Sequence, residues 1–304
     1  MPSLKMLPED EQITINPDEN ILLASLSAGI PHVHACGGKG RCSTCRVIVL
    51  DGMQNCVQPN EKEAKLAQKM GFTSNIRLAC QTQVSGDLTV RRVVLDDVDL
   101  EIITNSLKNG IQSIGEEKEV SILFSDIANY TTFTDAAQPY DTVHFLNRYF
   151  REMGEIVAAK NGRIIDYYGD GFLAIFGLEG DLYHSDNTVA AGCKMLDKAK
   201  SLSAYYKQIS GCIFQLRLGI NTGNVIVGNI GIDKMRKFAA IGGEVNFASR
   251  IEAANKELGT QFLISQSTFE HLNEKVKIKA THIISVKGKL GQHKVYEPSH
   301  PEIK

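Results

Sequence analysis

The chain has 304 residues, 43% of them apolar and 22% charged, with a formal net charge of −2. This composition excludes a disordered or fibrous chain, and the near-zero charge excludes a generic polyanion binder, so no nucleic-acid partner is expected. The longest apolar run, residues 21–30, is about half of what a membrane-spanning helix needs, and no basic patch leads into an apolar run at the N-terminus. A cytoplasmic protein with no membrane partner is expected.

Residues 12–15 alternate polar and apolar and read as a strand. Residues 20–28 read as a helix ended by Gly29 and Pro31, and 46–50 as a strand stopping at Asp51-Gly52. Residues 59–70 form a second helix ending before Gly71, and 88–94 a last strand. Residues 98–117 are polar and read as a linker with one short helix near 100–107.

A new pattern begins with a strand at 120–124. Over 139–160, Val143, Leu146, Phe150, Met153 and Val157 recur at helical spacing. Strands at 163–168 and 172–176 join through Gly169-Asp170-Gly171, a hairpin by composition. A helix follows at 186–203, then a strand pair at 216–220 and 225–227 around Asn221-Thr222-Gly223, a helix at 244–258, and strands near 262–264 and 293–296. The order β-α-β-β-α-β predicts an α+β sandwich with helices on one sheet face.

Of the seven cysteines, Cys36, Cys42 and Cys45 form a C-x5-C-x2-C run, with Cys80 beyond an x34 gap. Four thiolates suit a [2Fe–2S] centre, and the intervening glycines let backbone N–H groups turn toward the sulfurs. A structural zinc or free thiols are the alternatives. Cys56, Cys193 and Cys212 carry no assignment.

In the second half Asp126 stands at a strand end and Asp170 at the hairpin turn. If their strands are neighbours, both carboxylates project from one edge and can hold a pair of Mg²⁺ ions, although a lone turn Asp is more commonly a cap. Asn246 and Arg250 lie at i and i+4 on one helix face, a pairing suited to a charge-rich phosphoryl transition state.

The N-terminal segment, over about residues 10–95, resembles the [2Fe–2S] ferredoxins, with adrenodoxin-type cysteine spacing, and Arg77-Leu78-Ala79-Cys80-Gln81 is similar to their fourth-ligand segment. That resemblance implies a β-grasp fold. Residues 117–298 resemble the class III adenylate/guanylate cyclase catalytic domain, an α+β fold of the ferredoxin-like, palm-like kind. The expected division is 1–97 as the ferredoxin domain, 98–117 as linker or transducer and 118–304 as the cyclase domain.

The cyclase resemblance implies Asp126 and Asp170 as ligands of two Mg²⁺ or Mn²⁺ ions, Asn246 and Arg250 as the transition-state pair, and Lys287 as a contact to the β- and γ-phosphates. It assigns the loop of Ile127, Asn129, Tyr130 and Thr131 to the nucleotide, with Asn129 where the family often has Gly. It reads the Gly228–Gly231 signature as structural. It also implies a head-to-tail homodimer whose sites draw the aspartates from one protomer and Asn/Arg from the other. At the two base-selecting positions, adenine-selecting relatives carry Lys and Asp or Thr, where this chain has Asp166 and Ala239. The expected reaction is conversion of ATP to 3′,5′-cyclic AMP and pyrophosphate, with GTP as the alternative substrate. The iron–sulfur domain is expected to act as a redox sensor served by an electron donor. An electron-transfer protein with a degenerate cyclase domain is the competing reading.

Overall fold

Short β-forming runs at the start of the chain pair into one mixed sheet. β1 (Ser3–Leu7) and β2 (Glu11–Thr14) are antiparallel, and β1 runs parallel to β5 (Leu88–Arg92). β3 (Arg46–Asp51) and β4 (Ile76–Leu78) complete the order β2-β1-β5-β3-β4. The sequence reading did not include β1, whose alternation buries Leu4 and Met6. α1 (Ile21–Ser27) starts at Asn20, whose side chain accepts from Leu23 N at 2.9 Å, and adds Ile21, Leu22 and Ala24 to the same core. α2 (Glu61–Met70) ends at Gly71, with φ of 64°. Its buried Glu63 accepts from Arg77 Nε at 2.9 Å and from Leu78 N at 2.7 Å, which ties α2 to β4 two residues before Cys80. The mixed sheet with its crossing helix is the β-grasp arrangement expected.

In this computed structural model the chain divides into two units, Met1–Gly115 and Glu116–Lys304. The residues described are 2–16, 18–93, 98, 115–130, 134–135, 137–210, 213–231, 235–274, 276–286, 289 and 291–299. The helix expected near 100–107 lies outside them, as do Thr131, Cys212 and Lys287.

The second unit is built on an eight-stranded sheet in the order β12-β13-β11-β9-β6-β8-β7, with β10 paired to β9. Its elements are β6 (Glu116–Ala128), α3 (Pro139–Ala158), β7 (Gly162–Tyr168), β8 (Gly171–Phe176), α4 (His184–Ser210), β9 (Gln215–Ile230), β10 (Lys237–Ile241), α5 (Gly243–Leu258), β11 (Phe262–Ser265), α6 (Gln266–Glu270), β12 (Ile278–Ile284) and β13 (His293–Pro298). α3 and α4 cover one face. Phe145, Tyr149, Met153 and Val157 of α3 are fully buried against Leu123, Ile127 and Phe172, each contributing about 1.5–3 kcal/mol of apolar burial.

Two expectations are corrected. β9 is one continuous strand, not a pair around Asn221-Thr222-Gly223, because it pairs with β6 without interruption from Gln215 to Val227. The turn-forming side chains are occupied elsewhere: Asn221 donates to Glu244 Oε2 at 2.7 Å, and Thr222 Oγ1 lies 2.7 Å from Ser121 Oγ. Helices also do not occupy one face alone, because α5 packs Val245 and Ala248 onto the opposite face with Val120, Ile122 and Val225. Gly219 makes that possible. A Cβ there would sit 2.2 Å from Glu252 N and 2.8 Å from Ala248 O, so only hydrogen lets the helix backbone this close.

Candidate functional site

In the first unit the four cysteines sit as two pairs. All four are free thiols, Cys36 sharing a hydrogen bond with Cys42 and Cys45 with Cys80, and in each pair one thiol is pushed down and the other up. The Cys36 thiol is lowered first by Cys42, then by backbone N–H groups of Arg41, Lys39 and Cys42. Gly37, Gly38 and Gly40, with φ of 66°, 77° and 68°, give the loop the left-handed turns that aim those N–H groups inward. Among the described residues no three metal-ligating side chains converge on one point. Two pairs fit a binuclear cluster, which takes two thiolates per iron, better than a single four-thiolate zinc. Two further groups reach the sulfurs: Gln81 Nε2 donates to Cys80 Sγ at 3.2 Å, and Thr44 Oγ1 lies 3.1 Å from Cys42 Sγ. Sequence reasoning missed both.

In the second unit β6 and β8 are neighbours, so Asp126 at the end of β6 and Asp170 in the β7–β8 turn come together. Ile127 N donates to Asp170 Oδ2 at 3.2 Å. Burial, then the facing Asp126 carboxylate, push the Asp170 carboxyl up to about 6. Two hard, mutually repelling oxygen ligands at one edge fit divalent cations that take their remaining ligands from phosphate and water. The turn is clamped by Tyr168, whose hydroxyl donates to the carbonyls of Ser125 and Phe172, each at 3.1 Å. Asn129 takes φ of 64°, a conformation glycine adopts freely and asparagine tolerates.

A cation absent from the sequence reading completes this edge. Arg217 stands opposite Asp126 in the β6–β9 register and pairs with it. On its other side Arg217 Nε lies 3.2 Å from Glu252 Oε1 of α5, close but not aligned for a hydrogen bond. Burial, then Asp126, push Glu252 up to about 7.

Asn246 and Arg250 are both exposed on α5 and line a cavity of about 360 Å³ with Gly243, Glu244, Phe247, Val286 and Lys289. Lys289 Nζ bonds Glu244 Oε1 at 3.1 Å and lies 4.0 Å from the centre of the Phe247 ring. Among the described residues no hydrogen bond or ion pair joins Asn246 or Arg250 to Asp126 or Asp170. Asp166 pairs with Lys237 of β10, and Ala239 lies two residues further along that strand.

An α+β unit with two facing carboxylates and a separate small unit that gathers four cysteines define a two-domain protein, with residues suited to divalent cations in one unit and to a metal cluster in the other. Residues 113–297 match the adenylate and guanylate cyclase catalytic domain, and residues 5–85 match the 2Fe-2S iron-sulfur cluster binding domain. The chain belongs to the adenylate and guanylate cyclase catalytic domain family and carries a 2Fe-2S cluster binding domain before it. It is similar to adenylate cyclase 1 of Rhizobium meliloti, at 29% identity over 59% of this chain and 27% of that protein. It is also similar to the human guanylate cyclase soluble subunit beta-2, at 29% identity over 62% of this chain and 30% of that protein. The chain thus spans less than a third of the length of either relative. The crystal structure of the adenylyl cyclase CyaB from P. aeruginosa superposes with a TM-score of 0.57 at 28% identity, covering 60% of this chain and 95% of that one. Among the described residues no helix is long and apolar enough to cross a membrane.

Proposed function

We propose that this chain is a nucleotidyl cyclase that converts a purine nucleoside triphosphate to its 3′,5′-cyclic monophosphate and pyrophosphate, at sites shared between two copies. The sequence reading places ATP first and GTP second. The observation that carries the proposal is the facing pair Asp126 and Asp170, held at one sheet edge by Tyr168 and Ile127 N. Divalent ions there, Mg²⁺ or Mn²⁺, supply the Lewis acidity that activates the ribose 3′-hydroxyl and screens the triphosphate. Asp126 and Asp170 hold those ions. The 3′-oxygen bonds to the α-phosphorus as the bond to the bridging oxygen breaks, and the hydroxyl proton passes to solvent. Arg250 neutralises charge on the α-phosphoryl group, and the Asn246 amide orients the attacking ribose.

Exposure of Asn246 and Arg250 on α5, with no ion pair to the carboxylates among the described residues, supports a homodimer in which each half-site completes the partner's. The cysteine pairs support a [2Fe–2S] cluster in the first unit. An electron delivered by a donor changes its charge by one, and residues 98–117 are the covalent route by which that change biases the cyclase.

The test is an assay of purified chain with Mn²⁺ and either ATP or GTP, with the cluster oxidised and dithionite-reduced. Cyclic product lost in Asp170→Ala supports the cyclase. No product from either nucleotide would leave the electron-transfer reading standing, and equal rates in both redox states would remove the switch.

A further inference from the structure

Resting on the cyclase reading, we propose that Lys237 is a base-recognition residue, and that the Asp166–Lys237 pair reads guanine in preference to adenine. The pair is assembled by an irregularity in the sheet. Ile164 faces the α3–α4 side, and regular alternation would send Asp166 there too. A register shift between Ile164 and Asp166 instead places Asp166 opposite Leu173, on the α5 side. On β10, Phe238 and Ala240 pack toward the same apolar cluster, so Lys237 and Ala239 share the other face of that strand. From that face the long Lys237 side chain reaches back to Asp166, Nζ bonding Oδ1. β10 runs through Gly242 directly into α5, so Lys237 and the Asn246–Arg250 helix face belong to one continuous stretch of chain.

The chemistry follows from donors and acceptors. Ala239 offers no hydrogen bond and leaves room above the strand. Asp166 alone supplies only acceptors, and Lys237 adds the missing donor. Guanine presents O6 as an acceptor beside N1–H and N2–H as donors, so the ammonium reaches O6 while the two carboxylate oxygens take N1–H and N2–H. Adenine in the same pose turns its N6–H₂ donors on the ammonium and its N1 acceptor on the carboxylate, so both contacts are mismatched. The side chains of Lys237 and Asp166 are 56% and 44% exposed, so their pair is weakly held and opens at little cost to admit a base edge.

The experiment compares kcat/KM of the full chain for GTP, ITP and ATP in the unaltered protein, Lys237→Met and Lys237→Arg, with thermal unfolding to confirm the fold. The expected result is a GTP preference of roughly tenfold or more, the worth of one extra charged hydrogen bond. Lys237→Met is expected to lower GTP and ITP alike, through KM, and leave ATP less affected. Lys237→Arg is expected to restore the preference. An unaltered chain that prefers ATP overturns the proposal, as does a GTP-to-ATP ratio that stays the same in Lys237→Met. No turnover of any of the three nucleotides overturns the cyclase reading itself.

Discussion

Arg217 stands between two carboxylates that reach it from different elements, Asp126 on the neighbouring strand and Glu252 on the helix above. In the metal-free chain it is the counter-charge for the edge where Asp126, Asp170 and Glu252 gather. Removing it in Arg217→Gln leaves those carboxylates repelling one another. With EDTA the expected loss of stability is about 1–3 kcal/mol, below that for a fully buried pair because these groups retain some exposure. Mn²⁺ replaces the missing charge and is expected to recover much of the loss. Thermal unfolding with and without Mn²⁺ measures it, and an equal loss under both conditions would count against this role.

The glycine-cleared bed under α5 predicts a contrast between two small substitutions. In Gly219→Ala the new methyl meets helix backbone at 2.2 Å, which must move, whereas in Gly223→Ala it meets Glu244 Cγ at 2.9 Å, the flexible part of a side chain. Gly219→Ala is expected to cost about 1–3 kcal/mol and, by displacing Asn246 and Arg250, roughly 100-fold in product formation. Gly223→Ala is expected to cost far less on both counts. Visible absorbance of the iron–sulfur unit should be unchanged in each. Similar losses in the two variants would show that helix position is not what Gly219 sets.

Glu252 predicts a pH dependence. Its carboxyl is pushed up to about 7 from the ordinary glutamate value near 4.5, chiefly by burial. A raised carboxyl contributes stability that is fully present below the unfolded value and is lost as pH rises through the folded value. The metal-free chain should therefore lose stability relative to Glu252→Gln between about pH 4.5 and 7, with no further divergence above that range. Melting temperatures of both proteins in EDTA across this range provide the check, and parallel curves would be the contrary result.

Gln81 predicts a redox shift. Its amide donates to Cys80 Sγ, and a hydrogen bond to a ligand sulfur favours the more negative, reduced cluster. Gln81→Leu is expected to make the midpoint potential more negative while the visible spectrum persists, and Thr44→Val should shift it the same way. A redox titration followed by absorbance decides this, and an unmoved or raised potential would refute it.

What the sequence disclosed was local. The Asn246–Arg250 face follows from helical spacing alone, and the Asp170 turn from its glycines. The paired thiols follow from short cysteine spacing, with Cys80 brought in by β4. What it concealed depends on register or on distant partners. Arg217 reads as one polar residue of an alternating strand until its place opposite Asp126 is known. Asn221-Thr222-Gly223 has the composition of a turn, and only its bonds to Glu244 and Ser121 hold it extended. Asp166 faces Lys237 only because of an irregularity that no periodicity announces.

The proposed sharing of each site between two copies has a genetic consequence. On that proposal a chain altered at Asp170 and a chain altered at Asn246 should each be inactive as homodimers, while a mixed dimer of the two should retain one intact site. Coexpressed in equal amounts, the two dead alleles should complement to roughly a quarter of full activity, since half of randomly paired dimers are mixed and each carries one working site of two. By the same arithmetic, neither allele expressed beside the unaltered gene should be dominant-negative, since each unaltered chain completes one working site with either partner.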